Sequence, residues 1–328
     1  MKPWGPIDWL LSKTGDTSAS FYLLGCIAAE ERCQKIPLLA KSLGTPSVRL
    51  LRIDDPVSHY VVYHKEKVLN NEKALKKGGL NQWDQINIKL EASDDEIAQT
   101  LNNFLPSGNT EKPITLWIDI SCMPKRFFFL LIKLALRHPT IDNLLATYTQ
   151  PRPGHYTVDR LAEDPGPVKE LPGFGVMGEE PKTLVVAVGF ESLGLSQLID
   201  EFKDKDYRII VLLPFPPGQP YSRRIWETVH DVGVEVSEPL IKRVDAIDAL
   251  GTQQLLLETL QDSNPTNPAG LAPYGPKPVS LGMCLYAIQT GSPVFYTQPR
   301  VYHPDYTIGI GESWGYYLKL RGGEVWKC

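Results

Sequence analysis

Cysteine is scarce and unpatterned in this chain of 328 residues: Cys26, Cys33, Cys122, Cys284 and Cys328 form an odd set with no Cys-x-x-Cys. That argues against a disulfide framework and against a structural zinc site. Long apolar runs are missing as well. The longest, Phe127 to Leu136, is broken by Lys133 and falls short of a membrane span, and the opening Met1-Lys2-Pro3-Trp4-Gly5-Pro6 lacks the charged-then-apolar order of a signal peptide. Charge of one sign is not in excess either. A net charge of -4 gives no global reason to expect direct nucleic-acid binding. The expectation is a cytoplasmic protein with no membrane partner, no cofactor and no metal centre. His59 and His64 stand near Asp54 and Asp55, but in a polar stretch without clean ligand spacing, so they read as surface residues.

What the chain does have is a repeat. Tyr148-Thr149-Gln150-Pro151-Arg152 returns intact as Tyr296-Thr297-Gln298-Pro299-Arg300. Each copy is followed by His and then Tyr-Thr, as His155 with Tyr156-Thr157 and as His303 with Tyr306-Thr307. Each is preceded by Pro-Lys, at Pro124-Lys125 and Pro276-Lys277. The pattern predicts internal duplication, with two units of ordinary domain size.

Apolar runs and helical periodicity alternate in both halves. Half one gives strands at 21–25, 50–53, 114–120 and 143–148, with helices at 26–43, from Ser93 to Leu105, and at 127–137. Ser93-Asp94-Asp95-Glu96 has the form of a capping box. The stretch 57–90 is polar and stays unassigned. Half two gives strands at 183–189, 208–213 and 293–296, with helices at 195–202, 245–260 and 278–289. Alternation of this kind predicts an α/β fold of two tandem Rossmann-like units with mainly parallel sheets, related by a pseudo-twofold axis. Glu163 to Glu180, rich in Pro, Gly and acid, reads as the linker. The domains are then 1–165, a linker 166–180, and 181–328. Tyr306 to Trp326, with Arg321-Gly322-Gly323 inside it, predicts a C-terminal β-hairpin.

In open parallel sheets the loops at the carboxyl ends of the strands line the ligand crevice. The sharpest motif there is Asp119-Ile120-Ser121-Cys122-Met123-Pro124-Lys125. Carboxylate, hydroxyl, ammonium and the N-terminus of the following helix together suit an anion, while the alternative has Asp119 and Ser121 as helix caps and Lys125 solvated. Gln150, Arg152, Gln298 and Arg300 can fork onto phosphates or read a base or ribose; alternatively each Arg pairs with a local carboxylate. Gly189, Glu191 and Ser192 follow the first strand of half two, where Glu191 accepts from a ribose hydroxyl or caps the next helix. Gly275 and Lys277 complete the set. Gly173-Phe174-Gly175-Val176-Met177-Gly178 matches Gly-x-Gly-x-x-Gly but precedes a strand, so the dinucleotide reading fails on context.

Asp119-x-Ser121-x-x-x-Lys125 after a strand and before an apolar helix resembles the strand-to-helix motif of CRISPR-associated Rossmann fold domains. Leu271-x-Pro273-x-Gly275-Pro276-Lys277 looks like the same element, with Gly and Lys kept and acid and hydroxyl lost. Two such units in one chain are similar to SAVED domains. The resemblance implies sensing of a nucleotide or oligonucleotide second messenger in prokaryotic defence, in a cleft around Lys125 and Lys277, with the signal passed to an effector protein of the assembly. Met123-Pro124 stands where those families have a Gly-rich turn, and no effector domain is appended. A hydrolase using the same residues and a scaffold subunit with a vestigial site are the alternatives. No catalytic residue is assigned.

Overall fold

The structure is a computed structural model and describes residues 2–14, 21–56, 58–106, 113–152, 162–176, 178–190, 192–202, 207–215, 225–230, 240–261 and 268–327. His155, Tyr156, Thr157 and Glu191 lie outside the described residues. The chain divides into two compact units: Met1–Asp159 with Val301–Cys328, and Arg160–Arg300.

The first unit is built on one sheet. Its parallel body comprises β2 (Tyr22–Ile27), β3 (Ser47–Asp54), β4 (Asp84–Lys89), β5 (Ile114–Asp119) and β6 (Ile141–Pro151), laid out in the order β4-β3-β2-β5-β6. Strand order therefore reverses direction between β2 and β5. The sheet continues past β6 with β13 (Ile310–Leu320) and then β1 (Trp4–Pro6), both antiparallel to their neighbours. Central strands carry apolar residues on both faces, as a sheet covered on two sides requires: Leu23, Leu24, Leu116, Trp117 and Ile118 are all buried. The cover comprises α1 (Ile7–Thr14), a 3₁₀ turn (Glu31–Gln34) running into α2 (Lys35–Leu43), α3 (Val61–Lys77), α4 (Asp94–Phe104) and α5 (Lys125–Arg137). Ser93 caps α4 by accepting the backbone N–H of Glu96, as the capping box predicts. Phe127 to Ile132 of α5 are buried without interruption, so this helix is the apolar centre of its layer.

β13 closes into a hairpin with β14 (Gly323–Glu324). Arg321 (φ 51°) and Gly322 (φ 76°) are both left-handed at the turn, the backbone that a two-residue hairpin of right-handed twist requires.

The second unit has a four-stranded parallel sheet of β8 (Thr183–Ala187), β9 (Arg208–Phe215), β10 (Leu240–Asp245) and β11 (Gly270–Pro273), in the order β10-β9-β8-β11. Here too the order reverses beside the first strand, between β8 and β11. Its helices are α6 (Leu195–Phe202), helical residues 225–230 (α7), α8 (Ala249–Thr259) and α9 (Lys277–Thr290). α9 is buried from Pro278 to Ala287 and lies against α8; a Cβ on Gly282 would come within 2.3 Å of the Ala249 carbonyl. β7 (Ala162–Glu170) and β12 (Phe295–Tyr302) form a two-stranded ribbon.

Several features depart from the sequence reading: β10 and β11 complete the second sheet where no strand was expected, and the expected strand at 293–296 lies in the two-stranded ribbon instead. Residues 162–170, read as linker, form β7, because pairing with β12 satisfies a backbone whose composition alone looks irregular. The polar stretch 57–90 holds α3 and β4. The end of the chain returns to the first unit, since β13 pairs with β6 along most of its length. Both units are α/β with mainly parallel sheets, each in the order of a Rossmann-like half. Among the described residues no helix is long and apolar enough to cross a membrane.

Candidate functional site

In an open α/β sheet the crevice for a ligand lies where strand order reverses, beyond the carboxyl ends of the strands. In the first unit that is the gap between the loop after β2, residues 28–30, and the loop after β5, residues 120–124. The second loop carries the predicted motif. Asp119 Oδ1 accepts the backbone N–H of Ser121 at 3.0 Å and its hydroxyl at 2.5 Å. Ser121 Oγ in turn accepts the backbone N–H of Thr149 on β6 at 2.8 Å. Ser121 and Thr149 are fully buried, and Asp119 nearly so. The hydroxyl of Thr149 pairs with that of Ser313 on β13 at 2.9 Å. This chain of bonds ties three strands together and commits both the donor and an acceptor position of Ser121. Lys125 follows as the first residue of α5 and is also buried.

The loop after β2 supplies a second cluster. Glu30 is buried and accepts from Arg32 Nε at 2.7 Å, from the Tyr306 hydroxyl at 2.6 Å and from the Thr307 hydroxyl at 2.6 Å. Arg32 also donates to the Thr149 carbonyl and to the Tyr306 hydroxyl, each at 3.2 Å, and its guanidinium lies 5.8 Å from the centre of the Tyr148 ring. Burial opposes the charge on Arg32, but the Glu30 carboxylate together with the neighbouring Tyr306, Cys122 and Tyr148 outweighs it, so the guanidinium stays protonated. Burial, with Glu30 adding to it, pushes the Tyr306 phenol well above its ordinary range, so it stays a neutral donor. Cys122, on the loop after β5, lies near both Arg32 and Tyr306. Tyr306 is thus bonded to both Glu30 and Arg32 after β2.

A third group sits at the end of β3. Asp55 Oδ2 is 3.2 Å from His64 Nε2. Burial and the neighbouring Asp54 raise the Asp55 carboxyl to about 7, and burial lowers His64. Around pH 7 the contact is therefore mainly a hydrogen bond between weakly charged groups rather than a full ion pair. Among the described residues no group of three or more His, Cys, Asp and Glu is arranged to hold a metal ion.

In the second unit the crevice position falls between Gly189 and Gly275. A Cβ on Gly189 would lie 2.6 Å from the Tyr274 carbonyl, and one on Gly275 would lie 3.1 Å from the Val188 carbonyl. The two loops therefore touch backbone to backbone. Tyr274 OH accepts the backbone N–H of Thr297 at 3.2 Å and pairs with its hydroxyl at 2.7 Å, while Thr297 Oγ1 also donates to the Gly194 carbonyl at 3.2 Å. Lys277 is half-buried at the start of α9, whose cap Pro276 has φ -55° and ψ 153°, close to the -60° and 152° of Pro124 before α5.

No family model and no curated protein matches the chain. Among solved structures it is similar to a universal stress protein from Archaeoglobus fulgidus DSM 4304, at 13% identity and a TM-score of 0.26, over 85% of this chain and 96% of that one. It is also similar to a protein assigned as a universal stress protein from Pseudomonas aeruginosa UCBPP-PA14, at 13% identity and a TM-score of 0.27, over 87% and 95%. The fold described above rests on strand order and pairing alone.

The predicted residues sort by unit. Asp119, Ser121 and Lys125 gather at the first crevice. Gly189, Gly275 and Lys277 gather at the second, with Ser192 just beyond Gly189. Gln150 is half-buried on β6, and Arg152 is exposed with its stem beneath Gly309. Gln298 donates to the carbonyl of its neighbour Pro299 at 3.0 Å, and Arg300 lies 3.8 Å from Asp164 on β7. In the repeated pentapeptide it is Thr, not Gln or Arg, that is fully buried in both copies. Glu30 and Arg32 were not singled out from sequence, whereas Cys122 and Tyr148 lie within the motif and the repeat it offered. Tyr306-Thr307 was visible there as a repeat, and its position at the site is the signal the repeat carried.

Proposed function

We propose that the chain is a non-catalytic nucleotide- or oligonucleotide-sensing subunit of a prokaryotic defence assembly, which passes its signal to an effector protein. The observation that supports this reading is the coincidence of motif and topology: in each unit the Pro-Lys junction leads out of the strand beside the order reversal, where Rossmann-like sheets hold ligands. Lys277 at the N-terminus of α9 supplies positive charge for a phosphate there. Sensing is favoured over hydrolysis because Ser121 is fully buried, away from any substrate, and its hydroxyl is committed to Asp119 and to the Thr149 N–H. Calorimetry with a panel of cyclic and linear oligonucleotides tests the proposal. Heat from at least one of them, abolished in Lys277→Ala, is expected; no heat from any would remove it. Oligonucleotide cleavage lost on Ser121→Ala would instead establish the hydrolase.

A scaffold subunit is the second reading. It is favoured by Tyr306 and Thr307, whose hydroxyls engage Glu30 beside the first unit's crevice with the chain's own side chains. Stable co-purification with a partner and no bound nucleotide would support it.

A further inference from the structure

We propose that residues 303–309 form a latch over the crevice of the first unit, fastened to Glu30 and Glu31, that lifts as one piece, exposes Arg32 and opens the crevice toward Cys122. That a nucleotide is what enters beneath it rests on the reading above; the latch itself does not.

The segment links β12 to β13 and belongs to neither strand, so no sheet ladder holds it. Its fastening is polar and comes at two edges. At one edge the Tyr306 and Thr307 hydroxyls donate to the two oxygens of Glu30, and the Gly309 backbone N–H donates to Glu31 at 2.9 Å. At the other edge α3 holds it: Lys67 pairs with Asp305 and donates to the Pro304 carbonyl at 3.0 Å, Tyr63 OH donates to Asp305 at 3.1 Å, and the Tyr60 ring meets His303 edge-on at 4.7 Å. Apolar anchoring is slight by comparison. Pro304 and Thr307 are buried, but Ile308 is exposed, and His303, Asp305 and Tyr306 are half-buried. A segment held by hydrogen bonds at its ends and by little apolar contact opens at lower cost than the core beneath it.

What it covers is chemically suited to an anionic ring compound. Arg32 is a buried guanidinium held beside the Tyr148 ring and paired with the Glu30 carboxylate, which also accepts the latch's own Tyr306 and Thr307 hydroxyls. A phosphate presented to Arg32 competes with Glu30 for the same donors.

Cys122 reports the opening directly, since it is half-buried at the crevice whereas Cys26, Cys33 and Cys284 are buried. In a Cys328→Ser background, Tyr306→Phe with Thr307→Val removes the two hydroxyl donors at nearly constant shape. Alkylation by N-ethylmaleimide, followed site by site by mass spectrometry, is expected to accelerate at least about tenfold at Cys122 with Cys26 and Cys284 unchanged. An unchanged rate at Cys122 would overturn the latch. Acceleration at Cys26 and Cys284 in step with Cys122 would overturn it too, since the segment would then open only with the whole fold. The assay contains no nucleotide, so its outcome is separate from that of the calorimetry.

Discussion

Ser121 and Thr149 are joined at 2.8 Å, the hydroxyl at the end of one strand accepting the backbone N–H of the next. Tyr274 and Thr297 are joined in the same sense in the second unit, phenol to backbone N–H. In both, the Thr of the repeated pentapeptide is locked by a hydroxyl from the preceding strand or the loop leaving it. The duplicated element is thus a structural clasp before it is anything else. Ser121→Ala takes the side-chain acceptor from the buried N–H of Thr149 and leaves Asp119 with one donor fewer. The expected cost is about 2–3 kcal/mol in urea unfolding, with Ser121→Thr costing at least as much through overpacking at a fully buried site.

The second clasp is tested from both sides. Tyr274→Phe removes the acceptor of the Thr297 N–H and the partner of its hydroxyl, and is expected to cost about 1–3 kcal/mol. Gly194 lies on the far side of Thr297 with φ +79°, and a Cβ there would come within 2.3 Å of the Thr297 side chain. Gly194→Ala therefore combines an unfavourable backbone with a clash, and a loss of about 2 kcal/mol or more is expected, partly relieved by Thr297→Ser. Thermal unfolding of the single and double variants is the measurement.

Much of the fold was legible. β5, α5, β8 and α6 are apolar over their whole core-facing surface, and runs of that kind announce themselves. α3 was not legible because only Val68, Asn71 and Leu75 are buried along its length, too few to set a period. β7 and β10 were missed for a related reason: each has few fully buried positions and is recognised by its partner strand rather than by its own residues. The site divides the same way. Asp119 and Ser121 act through neighbours close in sequence, so spacing revealed them. Glu30 and Arg32 act through Thr149, Tyr306 and Thr307, and no local pattern records pairings made by the topology of the sheet.

Arg32 and Glu30 form a buried pair whose members depend on one another. Arg32→Met removes the charged donor of the buried Glu30 carboxylate and a bond to the Thr149 carbonyl; about 3–5 kcal/mol is expected to be lost. Glu30→Gln combined with Arg32→Met removes the charge as well, and is expected to recover a large part of that loss. A double-mutant cycle in chemical denaturation gives the coupling.

Asp55 and His64 give stability two opposed pH dependences. Asp55 keeps its proton up to about pH 7 in the folded chain, whereas its ordinary value is 3.8. The folded state then binds more protons than the unfolded one across that interval, so this group lowers stability as pH rises from about 4 to 7, by on the order of 2–4 kcal/mol. His64 works the other way. Burial, with Arg52 adding to it, holds the imidazole neutral below its ordinary 6.5, so the unfolded state binds the extra proton and stability falls as pH drops below 6.5. Asp55→Asn is expected to raise the melting temperature at pH 7 more than at pH 5, and His64→Gln to flatten the decline on the acid side. Melting curves from pH 4.5 to 8 separate the two, and a wild-type profile unchanged by Asp55→Asn would show that the carboxyl ionises in the folded chain much as it does in water.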